Sequence, residues 1–230
     1  MKKLKNKNVL LALAGIIIVG LVIVILVINN QKQNLGMLPL PQLADGIRGE
    51  QFGIDKNIYE DTIDNYLNRN DSVYRDLRML KDPGNYEAIG GDSYLSGFIE
   101  GFEIVPLPYL VNVSNLPIEV GSTYTGDTLY TVEDGEYKAN YEESLVILEY
   151  LFPKDKNIFL MCGGGGYAHM MKDMLVSLGW DLNKIYNVGG YRYYHGNNNV
   201  QVKNVYNDDV FYDFWKIPYH NINFDTLHRI

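Results

Sequence analysis

Twenty apolar residues run unbroken from Val9 to Ile28, all of them Ala, Gly, Leu, Ile or Val. As a helix this stretch spans a hydrocarbon core of roughly 30 Å. Beyond it, apolar positions recur on both helical and strand periods, which predicts a layered α/β domain. Ile58 to Asn68 reads as a helix with Ile63, Tyr66 and Leu67 facing inward. Ser72 to Arg78 reads as a strand ending in charge, and Lys81 to Gly91 as a Gly/Pro-containing loop. Phe102 to Pro106 is a short strand stopped by Pro106 and Pro108. Thr128–Val132 and Glu136–Lys138 flank Asp134-Gly135, the pattern of a hairpin. Tyr141 to Phe152 is an amphipathic helix, and Asn157 to Met161 is an apolar run of the kind buried on both sheet faces. Ala168 to Leu178 sets Met170, Met171, Met174, Leu175 and Leu178 at helical spacing, with Gly179 as C-cap. Lys184 to Val188 is a further strand, closed by Gly189-Gly190. No internal repeat is visible.

Between the apolar run and the helix that follows it stands Cys162-Gly163-Gly164-Gly165-Gly166-Tyr167, and Cys162 is the one cysteine of the chain. Four glycines serve no packing purpose. Without β-carbons they let backbone N–H groups converge on one point, which a following helix N-terminus also faces. A sulfur at that point is expected to be held as thiolate, the attacking form. Strand, glycine turn and helix together place such a group at the carboxyl end of a parallel sheet.

Charge divides the chain. Lys2, Lys3, Lys5 and Lys7 precede the apolar stretch and only Lys32 follows it closely. The positive-inside rule then puts the N-terminus in the cytoplasm and the remainder outside, as a single-pass anchored protein of the cell membrane. The stretch exceeds a signal-peptide core, and no small-residue cleavage site follows Ile28. Residues 1–33 hold five lysines and no acid, which leaves 15 basic against 28 acidic residues outside, −13. Such a surface repels nucleic acid, which is excluded as a partner. One cysteine permits no intrachain disulfide, so any disulfide is made with another molecule. His195, His220 and His228 lie apart, without metal-ligand spacing, and no nucleotide fingerprint is present; neither metal nor cofactor is expected. The richness in Asn, Lys, Ile and Tyr is associated with AT-rich bacterial genomes.

The order of these landmarks resembles the rhodanese-like sulfurtransferases over residues 57–200. Asp76-Leu77-Arg78 resembles the Asp-x-Arg that ends that family's first strand. Tyr94 to Phe102 resembles its Tyr-x-x-Gly-His-Ile-x-Gly-Ala element, with Phe98 in place of histidine. Cys162 to Tyr167 has the length of its six-residue active loop, and Gly179 and Gly189-Gly190 before Tyr194 match its later glycines. The resemblance implies a three-layer α/β fold, a central mainly parallel sheet with helices on both faces. With the anchor, the chain divides into a basic N-terminus (1–8), a transmembrane helix (9–28), a linker and lead-in (29–56), the rhodanese-like domain (57–200) and a C-terminal extension packed on it (201–230). Gln31 to Gly36 and Pro39-Leu40-Pro41 make the tether.

The resemblance implies that Cys162 accepts a sulfane sulfur as a persulfide and passes it to a thiol or other nucleophile. Donor and acceptor are then a small sulfur compound and a protein thiol. The amides of Gly163, Gly164, Gly165, Gly166 and Tyr167 are the implied cradle, with Asp76, Arg78 and Arg192 as supporting residues. Tyr167 and Ala168 stand where the family commonly has arginine and then serine or threonine, so an anionic donor such as thiosulfate meets no loop cation. Related phosphatases need arginine where Ala168 stands, which sets phosphate-ester hydrolysis aside. Two alternatives stay open: a non-catalytic module that recognises a peptide or small anion at the glycine loop, and a redox-responsive thiol.

Overall fold

The computed structural model describes residues 36–45, 53–79, 97–112, 124–201, 203–206, 209–212 and 218–230. The chain divides into two units, Met1–Leu38 and Pro39–Ile230. The 9–28 stretch, the 81–91 loop, and Tyr94 to Ser96 lie outside the described residues. Among the described residues no helix is long and apolar enough to cross a membrane.

The second unit is a mixed α/β domain. In chain order its elements are β1 (Ser72–Asp76), β2 (Gly97–Ile99), β3 (Glu103–Ile104), α1 (Leu107–Leu110), β4 (Tyr130–Glu133), β5 (Glu136–Ala139), α2 (Ser144–Leu151), β6 (Asn157–Cys162), α3 (Gly166–Ser177), β7 (Ile185–Gly190), β8 (Asn199–Gln201), β9 (Lys203–Tyr206) and β10 (Asp209–Tyr212). Four of them form the central sheet in the order β3-β1-β6-β7, every neighbour parallel. The remaining strands pair two by two and antiparallel: β2 with β8, β4 with β5, β9 with β10.

Parallel strands covered on both faces read as continuous apolar runs, and Ile158 to Met161 in β6 have no exposed surface. One face of the sheet carries an aromatic ladder. Tyr74, Phe159 and Tyr186 stand in register on β1, β6 and β7, with ring centroids 5.0 and 4.8 Å apart and nearly parallel planes. The other face carries Ile158, Leu160 and Cys162, packed under Ala168, Met171, Met174 and Leu175 of α3 and Leu148 and Leu151 of α2. Helix α3 stops at Gly179, whose φ of 94° only glycine adopts at no cost; the amides of Gly179 and Trp180 then return to the carbonyls of Val176 and Leu175.

The hairpin forms as the Asp134-Gly135 pair requires, with φ of 52° and 83° in the turn. Elsewhere the prolines act differently from expectation. Pro106 ends β3 by capping α1, and Pro108 sits in that helix's first turn, where its missing N–H costs nothing. The expected helix over 58–68 is a single 3₁₀ turn, Ile63–Tyr66, in which Ile63 alone is buried. Local side chains compete for its first amides: the Asp55 carboxylate accepts from Asn57 and Ile58, and Thr62 Oγ1 accepts from Tyr59. Asn68, at φ 60°, turns the chain away four residues before β1.

Both flanks of the domain are bound to it. On the N-terminal side Asp55 also accepts from Gln42 N–H, and the carbonyls of Pro39 and Leu40 accept from Tyr186 Oη and Asn57 Nδ2. Burial pushes the Asp55 carboxyl up, opposed by these amides and by Lys172. On the C-terminal side Ile104 bridges Tyr219, and Tyr141 bridges Arg229. Phe224 meets the rings of Tyr109 and Tyr141. The side chains of 201–217, including the aromatic run from Val210 to Trp215, lie outside the described residues.

Candidate functional site

Strand β6 ends on Cys162, opposite Gly190 of β7, at the carboxyl end of the central sheet. Side chains alternate along a strand, so the sulfur shares a face with Leu160 and points under the start of α3. The backbone then runs through Gly163 and Gly164 into Gly165, whose φ of 91° is a left-handed N-cap, and α3 begins at Gly166. That turn brings Gly165 N–H to Cys162 Sγ at 3.0 Å. The amides of Ala168 and Gly164 favour the charged form of the same sulfur. One measured backbone donor therefore meets the sulfur at a helix N-terminus, in a loop whose other amides act on it in the same sense.

The thiol is 4% exposed. Burial is the largest influence on it and pushes the thiol above its ordinary range, with the Asp76 charge adding to the rise; the amides of Ala168, Gly164 and Gly165 oppose both. The resting group is thus a protonated thiol. This differs from the expected resting thiolate, because desolvation in the core outweighs three amides.

Close packing requires glycine on the β7 side of the loop and not on its outer side. A β-carbon on Gly190 would lie 2.6 Å from both Gly163 O and Gly164 Cα, so β7 and the loop touch backbone to backbone. At Gly164 and Gly166 a β-carbon would meet nothing within 4 Å. The loop is tight against the sheet and open on its outer side.

Asp76 and Arg78 lie one strand away, Asp76 in register with Met161. The carboxylate accepts from Arg78 Nε at 2.9 Å and Nη2 at 2.5 Å, and both residues are almost fully buried. Arg78 Nη2 also donates to Gly97 O at 2.7 Å, and its guanidinium lies 4.4 Å over the Tyr191 ring. Tyr191 Oη in turn donates to Asn199 Oδ1. The pair ties the ends of β1, β2 and β7 together beneath the loop. It acts on the thiol through charge and architecture.

The other sequence-derived residues are placed as follows. Tyr167 is buried in the core cluster, so its ring packs under α3. Arg192 N–H donates to Gly163 O at 3.1 Å, while its exposed side chain lies 5.7 Å from the Tyr193 ring. Outside that set, His169 of α3 packs its ring against Gly53 and lies 3.4 Å from Asp173. Two residues that the sequence did not single out belong to the site: Tyr191, stacked under Arg78, and Asn187, fully buried in β7 with its side chain toward Gly165. A polar residue inside an otherwise apolar strand was the available signal for Asn187. Among the described residues no group of three or more His, Cys, Asp or Glu could hold a metal.

Comparison of the chain with protein-family models, with curated proteins and with solved structures finds no match.

Proposed function

We propose that this chain is a membrane-anchored, extracytoplasmic rhodanese-like sulfurtransferase or sulfur carrier, built as a three-layer α/β domain behind a transmembrane 9–28 helix. The observation that carries this reading is the Gly165 N–H held 3.0 Å from the sulfur of Cys162, in a glycine loop that opens a helix at the carboxyl end of a parallel sheet. Packing alone needs no such cradle.

The chemistry balances without an oxidant. Cys162 sulfur attacks the outer sulfur of a donor R–S–SH; the new S–S bond forms as the donor's S–S bond breaks, and R–S⁻ leaves with the thiol proton as R–SH. An acceptor thiolate then attacks the outer sulfur of the Cys162 persulfide, takes it as R′–S–SH, and returns Cys162 as the thiolate. When the outer S–H of the intermediate passes its proton to water, the charged sulfur meets the amide donors as an oxyanion meets its hole, and it takes a proton back from water on transfer to the acceptor. The raised thiol favours donors whose leaving sulfur accepts its proton. Ala168 at the loop's end and the acidic surface disfavour dianionic thiosulfate.

The buried, protonated thiol favours a second reading, a binding module on the same scaffold. One experiment separates the two. The full chain in detergent micelles is incubated with glutathione persulfide and, separately, with thiosulfate, and its intact mass is recorded. The proposal expects the mass of one added sulfur from the persulfide, removed by cyanide or reductant and absent in Cys162→Ser. Retention of the gain in Cys162→Ser would overturn the mechanism. No gain from either donor would overturn the sulfur-transfer reading and favour the binding module.

A further inference from the structure

Asn187 occupies a place where an apolar side chain would be expected. It sits mid-strand in β7, opposite Leu160, with no exposed surface. The register between β6 and β7 slips immediately after it: Leu160 pairs with Asn187, but Met161 pairs with Gly189. Val188 is thus the extra residue of a β-bulge, and Gly189 absorbs the bend at φ 101°. A buried amide without partners costs roughly 1–3 kcal/mol, and Asn187 meets that demand in a specific way. Its Oδ1 accepts from Gly189 N–H at 3.0 Å, across the bulge. That bond fixes which end of the amide is oxygen, so Nδ2 faces the other way. There it donates to the carbonyl of Gly165 at 3.4 Å.

Gly165 is the same residue whose N–H lies 3.0 Å from the sulfur. Its carbonyl also accepts the first bond of α3, from His169 N–H at 3.1 Å. Glycine at a left-handed N-cap has the widest conformational freedom in the loop, and a rotation about its φ or ψ would swing the donor off the sulfur. Asn187 itself is held from the far side, since its carbonyl accepts Asp55 N–H at 2.8 Å.

We propose that Asn187 is a positioning residue for Cys162: its buried amide spans the β7 bulge and the glycine loop, and holds Gly165 so that the Gly165 N–H stays on the sulfur. Its importance for sulfur transfer rests on the reading of Cys162 given above, but its effect on the thiol does not. The charged and titratable groups around the loop are Asp76 and Arg78 from the β1 side, Tyr191 and Arg192 after β7, Tyr167 and His169 on α3, and Asp55 with Lys172 behind Asn187. Asn187→Leu changes none of them.

The test uses the single cysteine as its own probe. In the full chain in detergent, the rate of alkylation of Cys162 by iodoacetamide is measured across pH for the parent, for Asn187→Leu, and for Ser144→Ala as a control. The control also loses a buried bond, from Ser144 Oγ to Leu129 O, but on α2 away from the loop. Asn187→Leu is expected to move the midpoint of the profile up by about one pH unit, with alkylation about tenfold slower below it. Ser144→Ala should leave the midpoint in place. A profile of Asn187→Leu that overlays the parent would overturn the inference. If that variant does not fold, the unsubstituted chain decides: the Asn187 side-chain NH₂ resonances should shift with the titration of Cys162, and flat resonances would overturn it. A chain that alkylates as expected yet accepts no sulfur would fail the functional reading alone.

Discussion

Two of the arginine–aspartate pairs among the described residues have the same contact distance. Arg78 Nη2 meets Asp76 Oδ2 at 2.5 Å, and Arg229 Nη2 meets Asp127 Oδ1 at 2.5 Å. Everything else differs. The side chains of the first pair are 3% and 1% exposed; those of the second are 63% and 47% exposed. Arg78 has further partners in Gly97 O and the Tyr191 ring, inside the fold. Arg229 adds Tyr141 Oη at 3.0 Å, at the surface. Water solvates either half of the outer pair when the other is removed, but neither half of the inner one. The inner pair is therefore obligatory and the outer pair a clip.

The sharpest way to break that contrast is Asp76→Asn. It leaves the Arg78 charge in the core without its counter-ion, and the expected loss is about 3–5 kcal/mol. Denaturant unfolding of the full chain reads it, and a loss below about 1 kcal/mol would show that the pair is not the clamp described. Next in size is Gly190→Ala. Its φ of −106° suits alanine, so the cost comes from overlap with Gly163 and Gly164, about 1–3 kcal/mol. Because the overlap is with the loop itself, alkylation of Cys162 should slow as well. Unchanged alkylation would show that the loop yields without disturbing the thiol.

Smallest is the outer region. Arg229→Ala should shift the unfolding midpoint little, and the shift should shrink further in molar salt. Its neighbour His228, bonded to Glu143, gives the region a pH signature. The Glu143 bond raises the His228 imidazole, so that contribution is complete below the ordinary histidine value of 6.5 and fades as pH rises through the raised one. The same bond lowers Glu143, whose contribution is complete above its ordinary 4.5 and fades as pH falls through the lowered value. Their joint effect peaks between those ordinary values. His228→Gln should flatten that peak in a plot of midpoint against pH, and leave the response to Asp76→Asn unchanged.

The contrast also explains what could be read from the chain. The β6 run, the α3 stripe and the Asp134-Gly135 hairpin are local patterns, and they form within one or two residues of where the pattern put them. The 58–68 segment has helical spacing too, but Asp55 and Thr62 capture its first amides, a competition that spacing does not display. β2 was not legible because three residues become a strand only when β8, about a hundred positions later, arrives beside them. The place of the glycine loop at the sheet's carboxyl end was legible from the strand, glycine and helix order. Whether the thiol rests charged depends on how deeply Leu160 and α3 bury it, which no motif encodes. Asn187 reads as one more strand residue until the bulge beside it is seen.

The central pairing of β1 with β6 has a consequence in time. Asn157 Nδ2 donates to Asp71 O across 86 positions of chain, and β6 is the inner neighbour on which the sheet closes. Chains whose sheets depend on such distant partners fold slowly, because the loop entropy is spent before any contact returns it. Until that closure, the only thiol of the protein is uncovered. The period when Cys162 is most open to oxidation thus precedes the native state, and a chain that folds faster would arrive with more of its sulfur intact.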